Sequence, residues 1–248
     1  MIDDILNPEI KRLKKLSTKK GRLEQGSYLI ENNFIVKAAI KYQAPILKIF
    51  ATKKYINEFS NVTQISDEVA LALSDSYSPQ EVFAEVQLPF LEEGEIPEIK
   101  KGKWIFLDGV QDPGNVGTII RTANGAGFNG IIVSPRTADV YSPKVLRAMK
   151  GAQFKLPIIE GNLVEYTRYF QNQNIPVFGT LVNKDAKDYR KIKSLKNFAF
   201  ILGNEGQGMD LKLASLTNEN FYIPMNNGQE SLNVAIAGAI IMYRLSLG

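Results

Sequence analysis

The sequence predicts two α/β domains, the larger and C-terminal one built on a mainly parallel sheet with helices on both faces. Three observations carry this reading. From Lys103 onward, short and almost unbroken apolar runs alternate with segments of helical period, the pattern of strands buried on both sides. Residues 1 to about 90 mix strand and helix patterns on a smaller scale. Between the two, "LPFLEEGEIPEIKKGK" gathers proline, glycine and glutamate, a composition that suits a domain boundary. The first domain is therefore placed at residues 1–95, a linker at 96–102 and the second domain at 103–248.

In the first domain, Leu6, Ile10, Leu13 and Leu16 recur at helical spacing and predict one amphipathic helix. "SYLIE" reads as a strand, "NFIVKAAIKY" as a helix and "ILKIFAT" as a second strand. Ser66, followed by Asp67 and Glu68, has the form of an N-cap with acids in the first turn. "FAEVQLP" closes the domain as a strand.

In the second domain the strand candidates are "KWIFLDGV", "GIIVSP", "PVFGTLV", "FAFILG" and "FYIPM". Helices are expected to begin near Asn115, Ser142, Leu163, Met209 and Ser231. Asn115 and Ser231 are the residue types that cap helices.

Composition narrows the chemistry. The 248 residues include no Cys and no His. That removes Ser-His-Asp and Cys-His nucleophile systems and the usual zinc sites. Catalysis has to draw on carboxylates, Arg, Lys, Ser, Asn, Tyr or backbone groups. No apolar run reaches the roughly 18 residues of a membrane span, and "MIDDILNPEIKR" does not read as a signal peptide, so a cytoplasmic location is expected.

Net charge is only +4, yet "KRLKKLSTKKGR" holds Lys11, Arg12, Lys14, Lys15, Lys19, Lys20 and Arg22 and no acid. These seven residues form either a solvated helix face or a phosphate-contacting arm, where releasing condensed counterions favours binding.

Gly125-Ala126-Gly127-Phe128-Asn129-Gly130 matches the G-x-G-x-x-G dinucleotide fingerprint. Such a loop must leave a strand and open a helix. Here the helical pattern comes first and the glycines lead into "GIIVSP", so they read as a helix C-cap. A nicotinamide or flavin oxidoreductase is disfavoured on that order.

Three segments hold the chemical signal. "LDGVQDPGNVGTIIRTANGAGF" carries Asn115 and, six residues on, Arg121. "FILGNEGQGMD" takes a buried strand into a glycine-rich turn around Glu205. "YIPMNNGQESLNVAIAGAIIMY" ends in a helix whose Ala235, Ala237, Gly238 and Ala239 permit close packing, preceded by Ser231 and Asn233. Together, in this order and spacing, these motifs resemble the TrmH/SpoU family of RNA ribose 2′-O-methyltransferases, part of the SPOUT superfamily, across residues 103–248. "YLIENNFIVKAAI" and "SPQEVFAEV" are similar to that family's L30e-like substrate-binding domain. Asn32-Asn33 stands where Gly-Glu is common, and Glu81 where Gly is common.

The resemblance implies a C-terminal trefoil knot, S-adenosylmethionine as cofactor, a structured RNA substrate, no metal, and a homodimer formed through the methyltransferase domain. Ribosomal RNA of the large subunit is the expected target; transfer RNA, or a non-catalytic RNA-binding role, are the alternatives. The implied cofactor contacts are Leu181, Gly203, Ile223, Met225 and Leu232. The implied catalytic set is Arg121, Asn115, Glu205, Ser231 and Asn233. The family proposal makes the arginine a general base, but a guanidinium with a pKa above about 12 is a poor proton acceptor. Arg121 is instead expected to bind phosphate and polarise the 2′-hydroxyl, with Asn115 holding Arg121 or the ribose.

Overall fold

The computed structural model describes residues 1–75, 80–89, 96–181, 186–193, 195–226 and 231–246. Residues 90–95 of the acidic boundary stretch, most of the loop "NNGQE" (227–230), and the Ser78-Pro79 pair of the first domain lie outside the described residues. By compactness the chain forms one unit of Met1–Glu93 with Asp139–Phe154, and a second of Gly94–Ala138 with Lys155–Gly248.

The first unit opens with α1 (Pro8–Lys15) and α2 (Lys19–Gln25), followed by β1 (Ser27–Glu31), α3 (Asn33–Lys41), β2 (Ile46–Ala51), β3 (Val62–Gln64), α4 (Asp67–Leu73) and β4 (Val82–Gln87). Its sheet runs β1-β4-β2-β3, with β4 antiparallel to β1 and β2, and β3 parallel to β2. Ile10, Leu13, Leu16, Phe50, Ile65, Val69 and Phe83 make its core. Ser66 caps α4 as its sequence suggests, its hydroxyl accepting from Val69 N–H.

The single helix expected from Leu6, Ile10, Leu13 and Leu16 through the basic segment is two helices. Asn7 caps α1 by accepting from Glu9 N–H, with Pro8 in the first turn, so Leu6 stays outside the helix and is 61% exposed. Thr18 caps α2 and breaks the run again.

The expected basic arm also divides. Arg12 forms a two-pronged pair with Glu85, both contacts at 2.7 Å, and Ser27 adds a third bond to that carboxylate. Burial pushes the Glu85 carboxyl up, but the hydrogen bonds from Arg12 and Ser27 outweigh it and hold it below its ordinary value. Arg22 is 3% exposed, donates to the Leu16 carbonyl at 2.6 Å, and pairs with Asp139. These two arginines are structural. Lys11, Lys14, Lys15, Lys19 and Lys20 remain on the surface.

The segment Asp139–Phe154 belongs to this first unit. Its helix α6 (Pro143–Met149) packs on β1, Arg147 pairs with Glu31 and Asp75, and Tyr141 lies with its ring 4.8 Å from that of Tyr28.

Asn32 accounts for one departure from the family pattern. It sits at φ 96°, ψ 130°, where glycine is at ease and other residues are strained. Its side chain compensates by accepting from Phe34 N–H to cap α3 and by donating to Gln80. Asn32→Ala loses the cap and keeps the strain, and is expected to lower unfolding free energy by about 2 kcal/mol. Asn32→Gly loses the cap but relieves the strain, and should stay within about 1 kcal/mol of wild type. Urea unfolding of the two variants checks the order; equal losses would show that the backbone is unstrained.

The second unit holds β5 (Lys103–Asp108), α5 (Pro113–Gly125), β6 (Gly130–Val133), β7 (Ile158–Glu160), α7 (Leu163–Asn172), β8 (Val177–Thr180), β9 (Lys187–Asp188), β10 (Phe198–Gly203), α8 (Leu211–Leu216), β11 (Glu219–Tyr222) and α9 (Val234–Ser246). The sheet order is β7-β6-β5-β10-β8-β11-β9, and every pair is parallel. Strands β5 and β10 are fully buried along almost their whole length, which explains their unbroken apolar sequence. Trp104, Phe106, Phe170, Ile132 and Ile201 pack one face. Helices α5 and α9 pack against each other, and α9 also meets β10.

The chain passes from β5 outward through β6 and β7, then crosses to the other side of β5 to lay down β8 through β11. Strand order therefore reverses at the β5–β10 pair, the place where ligand sites form beyond the carboxyl ends of strands.

The GAGFNG string ends α5. Gly127 takes φ +72°, Phe128 N–H bonds to the Ala123 carbonyl at 3.0 Å, and Gly127 N–H to the Asn124 carbonyl at 3.3 Å, a helix stop rather than a phosphate loop.

Candidate active site

Four chain segments leave the carboxyl edge of the parallel sheet and meet there: the turn after β5, Leu181 after β8, the turn after β10 and the chain after β11. The turn after β10 is the most constrained. At Gly203 a Cβ would stand 2.3 Å from Met209 N and 2.4 Å from the Gly208 carbonyl carbon, so the strand end accepts only glycine. Asn204 holds the turn in shape. Its carboxamide oxygen accepts from Gly206 and Gln207 N–H, both at 2.9 Å, and its NH₂ donates to the Gly109 carbonyl at 2.7 Å. The β10 turn is thereby tied to the β5 turn.

Glu205 forms a second tie. Its carboxylate accepts from Gln111 N–H at 3.2 Å, from Asp112 N–H at 3.3 Å and from the Asn115 side chain at 3.0 Å. Asn115 in turn accepts from the Asn233 side chain at 2.9 Å. One hydrogen-bonded line, from Asn233 through Asn115 and Glu205 to the backbone at the start of α5, therefore joins the three motif-bearing segments of the sequence.

Two expected caps are corrected here. Asp112, not Asn115, caps α5, its carboxylate accepting from Asn115 N–H at 2.8 Å. Asn233, not Ser231, caps α9, accepting from Ala235 N–H at 2.9 Å. With Asp112 as the cap, the Asn115 amide is free to bridge Glu205 and Asn233. It also means that Asn115 does not hold Arg121: among the described residues no hydrogen bond joins them. Six residues of helix separate the two by roughly 240° around the axis.

Desolvation pushes the Glu205 carboxyl up, but the bonds from Asn115, Gln111 and Asp112 prevail and hold it below its ordinary value. Glu205 is thus an anion at neutral pH, placed at a helix N-terminus that favours negative charge. Its stabilising effect is present above the unfolded carboxyl value of about 4.3 and is lost as pH falls through the lower folded value. Glu205→Gln is expected to remove that part of the acid-side loss of stability. Melting curves between about pH 3 and 6 that superimpose on wild type would count against it.

Beside this line lies a cleft of about 470 Å³. Leu181, Gly203, Ile223, Met225 and Leu232 all line it, together with Glu205, Ser231, Leu202, Val234 and Ile241. Arg121 is outside this lining, exposed on α5, and its guanidinium has no hydrogen bond or ion pair among the described residues. The apolar walls and exposed strand-end backbone suit a flat heteroaromatic ring with a polar tail.

Residues 103–243 match the model of the SpoU rRNA methylase family. The chain belongs to that family. Ahead of this SpoU methylase domain, residues 7–84 match the MRM3-like substrate-binding domain.

Its relatives include the Bacillus subtilis 23S rRNA (guanosine(2553)-2′-O)-methyltransferase RlmP, 33% identical over 98% of both chains. Among solved structures, an AdoMet-bound rRNA methyltransferase from Sinorhizobium meliloti is 28% identical, covers 98% of this chain and 96% of that one, and gives a TM-score of 0.88. A TrmH-family protein from Porphyromonas gingivalis, 29% identical over 98% and 99% of the two chains, also gives 0.88.

Two residues of this SpoU site escape a reading of the sequence. Asn204 has a readable signal, since an Asn directly after a strand-end glycine commonly folds back on the next backbone N–H groups. Asp108 has none: buried at the end of β5, it binds Arg136 at 2.8 Å and Asp210 N–H at 2.8 Å, partners 28 and 102 residues away.

Proposed function

We propose that this SpoU methylase methylates a ribose 2′-hydroxyl of large-subunit ribosomal RNA, and that the guanosine corresponding to position 2553 is the first nucleotide to test. The full-length similarity to RlmP is the observation that carries this reading. S-adenosylmethionine, when bound, supplies an electrophilic methyl group on a sulfonium centre. Leu181, Ile223, Met225 and Leu232 would hold its adenine in the apolar cleft, with Gly203 allowing close approach of the strand-end backbone.

The rest of the work falls to positioning and charge. Arg121, with its donors uncommitted, binds a phosphate of the RNA and stabilises negative charge growing on the 2′-oxygen. Glu205 and Asn233 are positioning residues that set the Asn115 amide, and Ser231 completes the wall where the ribose enters. Lys11, Lys14, Lys15, Lys19 and Lys20 offer a phosphate-contacting surface.

The chain works in the cytoplasm as a homodimer through the methyltransferase domain. Exposed Ile236 and Tyr243 on α9, at 52% and 46%, support an interface there. Among the described residues no helix is long and apolar enough to cross a membrane.

Mapping 2′-O-methyl groups in ribosomal and transfer RNA from cells with and without the gene tests the substrate. Loss of one site in the large-subunit RNA is expected. A loss confined to transfer RNA, or no change, would overturn the assignment.

A further inference from the structure

A second cleft opens beside the first, of about 190 Å³, smaller than the roughly 300 Å³ at which pockets for whole ligands begin. Arg136, Gln111 and Gln207 line it, against backbone at Gly109 and Gly208. Arg136 is anchored from behind: Nη2 donates to the buried Asp108 carboxylate at 2.8 Å, and the other Asp108 oxygen accepts from Asp210 N–H. Its side chain is nonetheless 60% exposed. A guanidinium with five donors, held by one of them, keeps the others for a ligand.

The charge balance identifies the kind of ligand. Asp108 offsets Arg136, and Asp210, which also lines the cleft, adds a second carboxylate. With no net positive charge, the cleft has little to offer a phosphate. A neutral planar edge carrying acceptors and donors suits Arg136 and the two glutamine amides far better. Asn204, Gln207 and Gly208 line both clefts, so a nucleotide whose ribose reaches the first can place a base in the second.

We propose that this cleft receives a nucleobase of the substrate RNA, at or next to the methylated nucleotide, and that Arg136 reads its acceptor edge. Adjacent acceptors such as O6 and N7 of guanine match the guanidinium fork, and unstacked RNA bases are the ones read in this way. The inference rests on the proposed RNA methyltransferase activity.

Its test compares wild type, Arg136→Ala and Arg136→Lys on RNA oligonucleotides that differ only in the base at the modified position and its two neighbours. Arg136→Ala is expected to raise KM for the preferred RNA by about ten- to hundredfold, to flatten the preference among bases, and to leave S-adenosylmethionine affinity unchanged. Arg136→Lys keeps the charge beside Asp108 without the fork; it should melt like wild type yet show the flattened preference. Unchanged base preference in both variants overturns the proposal, as does a defect limited to melting temperature or cofactor affinity. A wild-type protein that binds S-adenosylmethionine but methylates none of the RNAs would instead remove the substrate reading on which the proposal stands.

Discussion

Arg121→Ala is expected to lower methyl transfer by roughly 10²–10³-fold or more while leaving S-adenosylmethionine affinity as in wild type. The separation comes from where the side chain is. Arg121 is exposed on α5 and outside the lining of the cleft proposed for the cofactor, so its removal takes nothing from that cleft. Removing it also leaves no buried partner unsatisfied, because its guanidinium has none among the described residues, and the fold should melt normally. Arg121→Lys retains a charge but not a planar fork and should recover only part of the rate. Single-turnover methylation together with calorimetry on the same preparations decides the matter. A variant that turns over like wild type would sink the role given to Arg121.

Gly203→Ala should have the opposite profile, with cofactor binding lost first. The added methyl would stand 2.3 Å from Met209 N and 2.8 Å from the Gly208 oxygen. These are backbone atoms, and backbone cannot rotate away as a flexible side chain could. The 204–208 turn must shift, which also strains the bond from Asn204 to Gly109. Affinity for S-adenosylmethionine is expected to fall by at least about 100-fold, and stability by roughly 2 kcal/mol, within the range for overpacking a buried site. Normal cofactor binding by Gly203→Ala would mean that the cleft lies elsewhere.

How far the sequence disclosed this molecule depended on how local each determinant is. Strands β1, β2, β4, β5, β6, β8 and β10 were readable because each is a mainly apolar run of four to six residues with at least half of them buried. Strands β3, β7 and β9, three, three and two residues long, are too short to show a period. Glu205 and Asn233 could be singled out by motif, but which side chain caps which helix could not. Asp112 and Asn115 are both good caps, and the choice was made by Glu205, 90 residues from Asn115. Arg12 and Arg22 resemble their lysine neighbours in sequence. What takes them inward is Glu85 and Asp139, 73 and 117 residues away, and no local pattern contains that information.

The placement of Asp139–Phe154 has a consequence for synthesis on the ribosome. The first unit cannot finish when its own sheet has been made, because α6, Asp139 and Arg147 are still unsynthesised. Until then Arg22 lacks its carboxylate and β1 lacks one of the three helices that pack against it. At roughly 5–20 residues per second the interval lasts several seconds, during which β5, α5 and β6 are also emerging. The nascent chain therefore carries an amino-terminal sheet still lacking α6 while the start of the catalytic sheet is delivered, a period in which chaperone capture would be most useful.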